Sequence, residues 1–404
     1  MMWTDCNLHD RTVVNQHAAL LCNQTAANKK VPQFYRIKPF DAVAPYHDTN
    51  GMRPAIAYIN LTNLKHNFQV LGNRSKESEI MAVVKANAYG HGLELVAPAL
   101  FDAGCRHFAV TDAIEGEKAR KLLPEAQSIV LLSGIFDASD AKLCSIHHLT
   151  PVITHPYHAE LLHKEAFEGS VWIKINTGMQ RLGADDPKQL IDLCRQHDIK
   201  LAGIMSHLAC ADTPEHPLNM AQADEFSTLC QQLDSKLPSS LLNSAGLIAL
   251  PDQTHDFIRP GIALYGAEPV PAEPLGLKPV MQLTGQVMHV RQIPKGVSLS
   301  YGASFTAKER MNVAVVSLGY GDGLPRHLSN QGMAFHDGNN FPIVGRICMD
   351  FCLIDCTHHP LKEGDSIEFW GEQQSANETA QSIGTIAYEL FTGIDQRVCR
   401  ETTR

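Results

Sequence analysis

The segment Met81-Ala-Val-Val-Lys-Ala-Asn-Ala-Tyr-Gly-His-Gly92 joins a short apolar strand to a polar turn. The strand brings one lysine, Lys85, to this turn, which also contains Tyr89 and two glycines. At the mouth of a buried strand a lysine loses hydration, so its amine is neutral more often and can form a Schiff base. A lone lysine more commonly extends from a strand end into solvent. The rest of the chain therefore has to distinguish the two roles.

The turn after the lysine adds groups that suit a phosphate. Tyr89 offers a hydroxyl, and the turn opens a predicted helix whose amino terminus favours an anion. A reactive lysine beside a phosphate-binding turn is what pyridoxal phosphate requires. The segment therefore predicts a pyridoxal phosphate site.

Short apolar runs alternate with amphipathic stretches from about residue 56 to residue 280, which is typical of βα units. We predict strands at 80–84, 107–110, 129–132, 150–153, 171–175, 202–205, 240–242 and 256–258. Helical stretches between them include 93–103, 113–123 and 222–233. This pattern fits an α/β protein with a (β/α)8 barrel. A doubly wound sheet is the alternative, but no GxGxxG follows the first strand.

The pattern changes after Lys278-Pro279. Predicted strands at 286–293, 312–318, 342–347 and 365–370 are separated by turns that contain Gly and Pro, and one helical segment lies near 386–391. We therefore predict an N-terminal (β/α)8 barrel over residues 52–279 and a C-terminal β-rich domain over residues 280–404. Residues 1–51 have no sustained period, and we predict a disordered extension there.

Composition excludes several classes of partner. The formal net charge is −9 and no long basic run occurs, which argues against nucleic acid and anionic membranes. No apolar stretch approaches the ~20 residues that cross a bilayer. The eleven cysteines lack CxxC spacing and predict reduced thiols in a cytoplasmic protein. Cys348, Cys352 and Cys356 would lie roughly 13 Å apart along a strand, too far to share one metal ion, so we expect no metal site.

Four polar residues each follow a predicted barrel strand: Lys85, His207, Ser244 and Arg259. Active sites of such barrels lie at the carboxyl ends of the strands. Each residue alone has an ordinary explanation, such as a helix cap or a surface ion pair, but four of them at one rim predict an active site. Ser244 and the backbone at Gly261 are suited to phosphate, by a hydroxyl and by close approach.

Eight segments occur in the order seen in alanine racemases. They are AVVKANAYGHG (82–92), KINTGMQRLG (174–183), IMSHLACAD (204–212), NSAG (243–246), RPGIALYG (259–266), VSLSYGASF (297–305), SLGYGDG (317–323) and VGRICMD (344–350). Over roughly residues 52–400 the chain resembles this family of pyridoxal-phosphate isomerases of fold type III. The resemblance implies interconversion of L-alanine and D-alanine for peptidoglycan synthesis or alanine catabolism, in a homodimer with shared active sites.

The resemblance assigns catalytic roles. Lys85 matches the lysine that holds the cofactor as an aldimine and then acts as one base. Tyr301 matches the opposite base, which in the family reaches the site of the partner subunit. His207 and Arg259 match the residues that assist this tyrosine. Arg259 also matches the arginine that faces the pyridine nitrogen and keeps it unprotonated, since an arginine only donates hydrogen bonds.

The resemblance also assigns binding roles. The phosphate set comprises Tyr89, Ser244, Gly261, Ile262 and Tyr388, and the substrate set comprises Arg181, Met349, Tyr320 and Ile386. Lys174 lies inside a predicted strand and faces the barrel interior, where a bare ammonium is costly. Many family members carbamylate the matching lysine, so we expect N6-carboxylysine at Lys174. Asn176 and Gln180 depart from the family pattern and flank Arg181, whose placement they leave open.

Three other functions compete with this reading. A broad-specificity amino-acid racemase is the nearest, but its motifs around the substrate entrance differ. A decarboxylase of the same fold would favour a carboxylate at the ring nitrogen. A barrel protein that only carries the cofactor would explain Lys85 but not Tyr301.

Overall fold

The computed structural model describes residues 53–403 apart from residues 76 and 235. The predicted amino-terminal extension, residues 1–51, lies outside the described residues. Within the described part, no helix has the length and apolar character needed to span a membrane.

Eighteen strands occur in the described part of the chain. They are β1 (Ala55–Ile59), β2 (Glu79–Val83), β3 (His107–Val110), β4 (Ser128–Leu131), β5 (Thr150–Ile153), β6 (Ser170–Lys174), β7 (Lys200–Met205), β8 (Ser239–Asn243), β9 (Phe257–Arg259), β10 (Met281–Ile293), β11 (Ser298–Leu299), β12 (Phe305–Thr306), β13 (Met311–Val316), β14 (Met333–His336), β15 (Asn339–Pro342), β16 (Cys352–Asp355), β17 (Ser366–Trp370) and β18 (Cys399–Thr402).

Helices lie between the strands of the first half and near the end of the second. They are Leu61–Arg74, Leu93–Asp102, Ala113–Leu122, Ala138–His147, Pro156–Lys164, Pro187–Gln196, Leu218–Asp234, Gly246–Ala249, Ala376–Ser382 and Ala387–Thr392. Several start where the side chain of an aspartate accepts hydrogen bonds from first-turn amides, as Asp112 does from the amides of Ile114 and Glu115. Pro156 and Pro187 stand at first helical positions, where proline needs no hydrogen-bond donor.

Strands β2 to β9 close into a parallel barrel in chain order. All eight predicted barrel strands are confirmed, with ends that coincide or differ by one or two residues. Their apolar runs are buried because helices cover the outside and side chains fill the inside. In β2, for example, Ile80, Met81, Ala82 and Val83 are all buried. The carboxyl ends of the eight strands consequently form one rim.

The second half of the chain builds an eight-stranded sheet, in the order β15-β14-β17-β10-β1-β18, with β13 paired to β10 and β16. A barrel followed by a β-rich domain is therefore confirmed. Strand β1 precedes the barrel in sequence but lies between β10 and β18 in this sheet. The predicted domain limits at residues 52 and 279 stay a prediction.

One predicted strand of this domain is wrong. The segment 342–347 is not a strand; β15 ends at Pro342, and Ile343 makes a single bridge to Ile354. Gly345 explains the break, because its φ of 77° lies in the left-handed region, where a strand cannot continue. A Cβ there would also lie 2.7 Å from the Cβ of Ser300.

The same substitution, glycine to alanine, should lower the free energy of unfolding by different amounts at two positions. Gly266 and Gly276 both have positive φ, 82° and 77°, but a Cβ at Gly266 would lie 1.9 Å from the carbonyl oxygen of Lys278, whereas nothing lies within 4 Å at Gly276. Gly276→Ala should lower the free energy of unfolding by about 1 kcal/mol through backbone strain. Gly266→Ala should lower it by about 1–3 kcal/mol more, because the new Cβ would overlap with the backbone of Lys278. Urea unfolding of both variants measures the difference; equal losses would contradict the close packing at Gly266.

Candidate active site

A cavity of 510 Å³ opens at the carboxyl-terminal rim of the barrel. Ten of the predicted site residues line it: Lys85, Tyr89, Lys174, Arg181, His207, Ser244, Arg259, Gly261, Ile262 and Tyr388. They come from the carboxyl ends of five strands, β2, β6, β7, β8 and β9, or from the loops that follow them, and from the helix Ala387–Thr392 of the second domain. The structure therefore brings together residues that are as much as 303 positions apart in sequence, from Lys85 to Tyr388.

The lining of this cavity is strongly cationic. Lys85, Lys174, Arg181 and Arg259 contribute four basic side chains, and none of the described residues that line the cavity is acidic. Four positive charges in one partly dehydrated space repel one another, and an anionic ligand relieves that repulsion. The cavity is therefore built for a ligand with at least one phosphate or carboxylate group.

Arg259, at the end of β9, is the most buried of these cations, with 4% exposure. Its guanidinium donates to Ser240 Oγ at 2.5 Å, to the carbonyl of Ser206 at 2.5 Å and to the carbonyl of Leu241 at 3.2 Å. Burial lowers the pKa of Arg259 to about 10, so it stays protonated at neutral pH. Its Nε–H takes part in none of these hydrogen bonds.

His207 follows β7 and lies beside this arginine. Arg259 Nη2 is 3.4 Å from His207 Nδ1. Because a guanidinium can only donate, Nδ1 is the acceptor and the imidazole proton resides on Nε2. Burial, reinforced by the charge of Arg259 and by those of the neighbouring lysines, holds the pKa of His207 well below its usual range. The ring is therefore neutral and can donate from Nε2.

Both cavity lysines have weakened proton affinity. Burial lowers the pKa of Lys85, and the positive charge of Arg181 lowers it further. Burial and the charge of Arg259 lower the pKa of Lys174 to about 8. A neutral amine is the nucleophilic form of lysine, so both pKa shifts favour reaction with an electrophilic carbon.

The turn that follows Lys85 has an unusual backbone. Ala86, Asn87, Ala88 and Tyr89 all have φ between 52° and 55°, so they form one turn of left-handed helix, and Gly90 continues it with φ 77°. The left-handed conformation costs roughly 1–2 kcal/mol for each residue with a Cβ. This conformation could not be predicted from the sequence, because alanine and tyrosine have no preference for positive φ.

Local hydrogen bonds offset part of this strain. Asn87 Oδ1 accepts from the amide of Leu93 at 2.8 Å. His91 is fully buried and its Nδ1 lies 2.9 Å from the carbonyl oxygen of Tyr89. Its ring packs between Tyr265 and Phe391, with centroid distances of 4.5 and 4.8 Å. These contacts hold the turn in place.

A cradle for a small anion is formed by the segments that follow β8 and β9. Ser244 Oγ accepts from the amides of Gly261 and Ala263 at 3.0 and 3.3 Å. A Cβ at Gly261 would lie 2.4 Å from the hydroxyl of Tyr89, so only glycine fits there. Tyr388 packs against Tyr89 at a centroid distance of 5.9 Å and completes a wall of hydroxyls.

The expected phosphate role of the helix after the turn stays a prediction. The first residues of this helix, Leu93–Asp102, are not among the described residues that line the cavity.

The two departures that flank Arg181 are accommodated by one hydrogen-bonded loop. Asn176 Nδ2 donates to Gln180 Oε1 and to Asp185 Oδ1, both at 2.8 Å, while its Oδ1 accepts from the amide of Gln180 at 3.2 Å. An aspartate at 176 could not donate to Asp185. The asparagine thus closes the loop, and Arg181 still lines the cavity.

Four predicted site residues lie outside this cavity. Tyr301, Tyr320, Met349 and Ile386 are exposed by 67%, 42%, 52% and 61%. All four belong to the second domain. These four residues do not line the cavity of their own chain.

Tyr320 and Met349 lie on two segments that backbone hydrogen bonds join to each other. The amides of Tyr320 and Gly321 donate to the carbonyls of Cys348 and Met349 at 3.0 and 2.8 Å. Buried Asp322 holds the same region, with Arg53 at 3.2 Å and Arg397 at 2.8 Å from its carboxylate oxygens. The orientation of Tyr320 relative to Met349 is therefore well defined.

Sequence reasoning missed several contributors. Leu132, Ser133, Met205, Asn243 and Thr392 also line the cavity. All but Thr392 lie at or just beyond strand ends, a position that could have identified them. Gln222, which is fully buried, donates to the carbonyl of His207 at 3.0 Å. Nothing in the helical pattern around it distinguished this residue from a surface glutamine.

The domain order and the cavity agree with comparisons to known proteins. The model of the alanine racemase N-terminal domain matches residues 59–269, and that of the alanine racemase C-terminal domain matches residues 280–402. The chain belongs to the alanine racemase family. The predicted family and the predicted enzyme class, an isomerase, are confirmed.

Individual family members are similar over nearly their full length. An alanine racemase of Stutzerimonas stutzeri is 38% identical over 366 residues, which span 86% of this chain and 99% of that protein. A catabolic alanine racemase of Agrobacterium fabrum is 36% identical over 85% of this chain and 90% of its own. The crystal structure of alanine racemase from Bartonella henselae with covalently bound pyridoxal phosphate has a TM-score of 0.81 at 33% identity, covering 87% and 99% of the two chains.

Proposed function

We propose that this protein is a pyridoxal-phosphate-dependent alanine racemase that interconverts L-alanine and D-alanine by a two-base mechanism. The observation that carries the proposal is the cationic cavity at the barrel rim, which is lined both by Lys85 and by the anion cradle at Ser244 and Gly261. We further infer that the reaction supplies D-alanine for peptidoglycan or serves alanine catabolism.

The residues present fit pyridoxal phosphate. Ser244, Gly261, Ile262, Tyr89 and Tyr388 would hold the phosphate, in the cradle that a Cβ at Gly261 would fill. The free Nε–H of Arg259 would donate to the pyridine nitrogen, and Lys85 would bond to the aldehyde carbon. When bound, the cofactor supplies an aldehyde that condenses with amines and a conjugated ring that withdraws electrons from the Cα–H bond.

Arg259 determines how strongly the ring attracts electrons. A guanidinium is a donor only, so it leaves the ring nitrogen without a proton, whereas a carboxylate would favour protonation. Among the described residues that line the cavity no carboxylate competes for this place. This arrangement favours proton transfer at Cα over the chemistry of a decarboxylase, which needs a stronger electron sink.

Two groups on opposite faces of Cα move the proton. Lys85 Nζ removes or returns it on one face, since burial and Arg181 favour the neutral amine. Tyr301 of the partner subunit acts through its hydroxyl oxygen on the other face. His207 supports that oxygen by donation from Nε2, a tautomer that Arg259 imposes through Nδ1. We assign the D-isomer's proton to Lys85 and the L-isomer's proton to the tyrosine.

The substrate is held by its carboxylate. Arg181 lines the cavity and provides the positive charge, and the backbone amide of Met349 of the partner subunit provides a second donor. Tyr320 and Ile386 limit the room at the entrance and so favour the methyl side chain of alanine.

A homodimer with shared sites accounts for the exposed residues. Tyr301, Tyr320, Met349 and Ile386 do not line the cavity of their own chain and lie exposed on the second domain. A two-fold dimer would place these side chains at the partner's cavity. The nine cysteines found in the described residues are free thiols, which supports action in a reducing cytoplasm.

The proposed activity is tested by a substrate panel with chiral readout. Purified protein with pyridoxal phosphate should convert L-alanine to D-alanine and act far more slowly on lysine and arginine. Lys85→Ala should lose both the visible absorbance of the bound cofactor and about 10³-fold or more of the activity. Lys164→Ala is the matched control, because this exposed lysine does not line the cavity. Equal turnover of lysine would indicate a broad-specificity racemase, and cofactor binding without turnover a carrier.

The shared site is tested by mixing two inactive variants. Lys85→Ala and Tyr301→Phe each leave every homodimer without one base. Dissociation and random reassociation should restore about a quarter of the wild-type activity, because half of the dimers are mixed and each has one intact site. No recovery, in a sample shown to contain mixed dimers, would exclude a tyrosine supplied by the partner.

We also propose that Lys174 is carbamylated. Its amine is buried, its pKa is about 8, and Arg259 and Arg181 repel its ammonium form. Addition of the neutral amine to carbon dioxide forms a carbamate and releases a proton, which replaces a repelled cation with an anion that can pair with Arg181.

Carbon-13 NMR in labelled bicarbonate measures this modification directly. The wild-type protein and Lys200→Met, which changes an exposed lysine, should show a carbamate signal, and Lys174→Met should not. A signal that survives in Lys174→Met, or its absence from the wild-type protein, would contradict the assignment.

A further inference from the structure

The left-handed turn after Lys85 is contacted by a side chain from a different βα unit. Glu115 lies in the first turn of the helix Ala113–Leu122. Its Oε1 accepts from the amide of Ala86 at 2.7 Å, and its Oε2 accepts from the amide of Thr111 at 2.8 Å. One carboxylate therefore joins the residue after Lys85 to the residue after β3.

Glu115 is itself held in place. Its own amide donates to Asp112 Oδ1 at 3.0 Å, where Asp112 caps the helix. A carboxylate with both oxygens engaged and a fixed backbone has little freedom to move. It is therefore a rigid anchor for the amide of Ala86.

The anchored amide begins the strained part of the chain. Ala86 is the first of the four residues with a Cβ that adopt positive φ. The amide of Ala86 belongs to the peptide plane that joins Ala86 to Lys85, so its hydrogen bond to Glu115 fixes the orientation of that plane and thereby restrains the backbone of Lys85. The hydrogen bond from Ala86 thus opposes relaxation at the position next to the reactive lysine.

The negative charge of Glu115 also acts on the amine of Lys85. The carboxylate of Glu115 raises the pKa of Lys85, against burial and Arg181, which both lower it. Glu115 is also absent from the residues that line the cavity, so it does not contact a bound ligand there.

We propose that Glu115 is a positioning residue for Lys85, which holds the left-handed turn in place and thereby aims the lysine amine into the cavity. The inference rests on the proposed function, since the lysine is aimed at the cofactor and the substrate. Glu115 acts through Ala86 and has no direct part in proton transfer.

The test compares Glu115→Gln with Glu117→Gln. A glutamine at 115 presents one oxygen and one NH2 group, so it can accept from only one of the two amides and opposes the other. Glu117 lies on the same helix, pairs with Lys121 at 2.6 Å and touches neither amide, so its variant controls for the loss of one charge. Both variants are prepared without cofactor and then titrated with pyridoxal phosphate.

Glu115→Gln should form the visible-absorbing lysine adduct about tenfold more slowly and lower kcat for alanine by about tenfold, the effect expected for loss of one charge-assisted hydrogen bond. The KM for alanine should change little, because the residues that hold the substrate are untouched. Glu117→Gln should match the wild-type protein in adduct formation, kcat and KM.

A second variant separates positioning from a general loss of stability. Ala86 is exposed, and Ala86→Gly removes the Cβ cost of its positive φ without removing buried surface. In the Glu115→Gln background, Ala86→Gly should therefore recover part of the adduct rate and of kcat.

Matching behaviour of Glu115→Gln and Glu117→Gln would overturn the proposal, as would a lower Tm with unchanged adduct rate and kcat. A wild-type protein that forms the adduct but does not racemise alanine would refute the proposed function instead, and the adduct rates would still test Glu115.

Discussion

The arrangement of the cavity depends on one buried arginine, which has no carboxylate partner in the part of the chain that the structure describes. Arg259 is held by neutral acceptors, namely Ser240 Oγ, the carbonyls of Ser206 and Leu241, and His207 Nδ1. Its charge is thus fixed in position but not neutralised. It imposes the tautomer of His207, lowers the pKa of Lys174 and adds to a field that favours anions. The barrel supplies the geometry that makes this possible, because eight parallel strands direct their carboxyl ends to one rim.

Sequence reasoning located the barrel well, because fully buried parallel strands appear as short continuous apolar runs between helical stretches. It also placed ten of the cavity residues, since most of them follow a strand or stand in a segment shared with the family. It failed at 342–347, where Gly345 adopts a positive φ, and a glycine in an apolar run does not reveal its φ in advance.

The left-handed turn was missed for a related reason. Ala-Asn-Ala-Tyr has no residue that requires positive φ, and only Asn tolerates it readily. Contacts hold it at both ends, from Glu115 in the next βα unit and from the buried ring of His91 two residues after the turn. The contact from Glu115 spans 29 residues, so a local pattern does not reveal it. Gln222 likewise lies 15 residues from its partner, the carbonyl of His207, beyond the reach of a local helical pattern.

The position of β1 also affects how the chain folds. This strand, near the start of the described residues, lies between β10 and β18, and β18 ends at Thr402. During synthesis on the ribosome, the edge of β1 that faces β18 therefore stays unpaired until residues 399–402 emerge from the exit tunnel. The barrel lies between β1 and β10 in sequence, so it can assemble before that edge is covered. A variant in which β18 cannot pair would keep the residues that line the cavity but expose one edge of β1, which favours pairing with other chains.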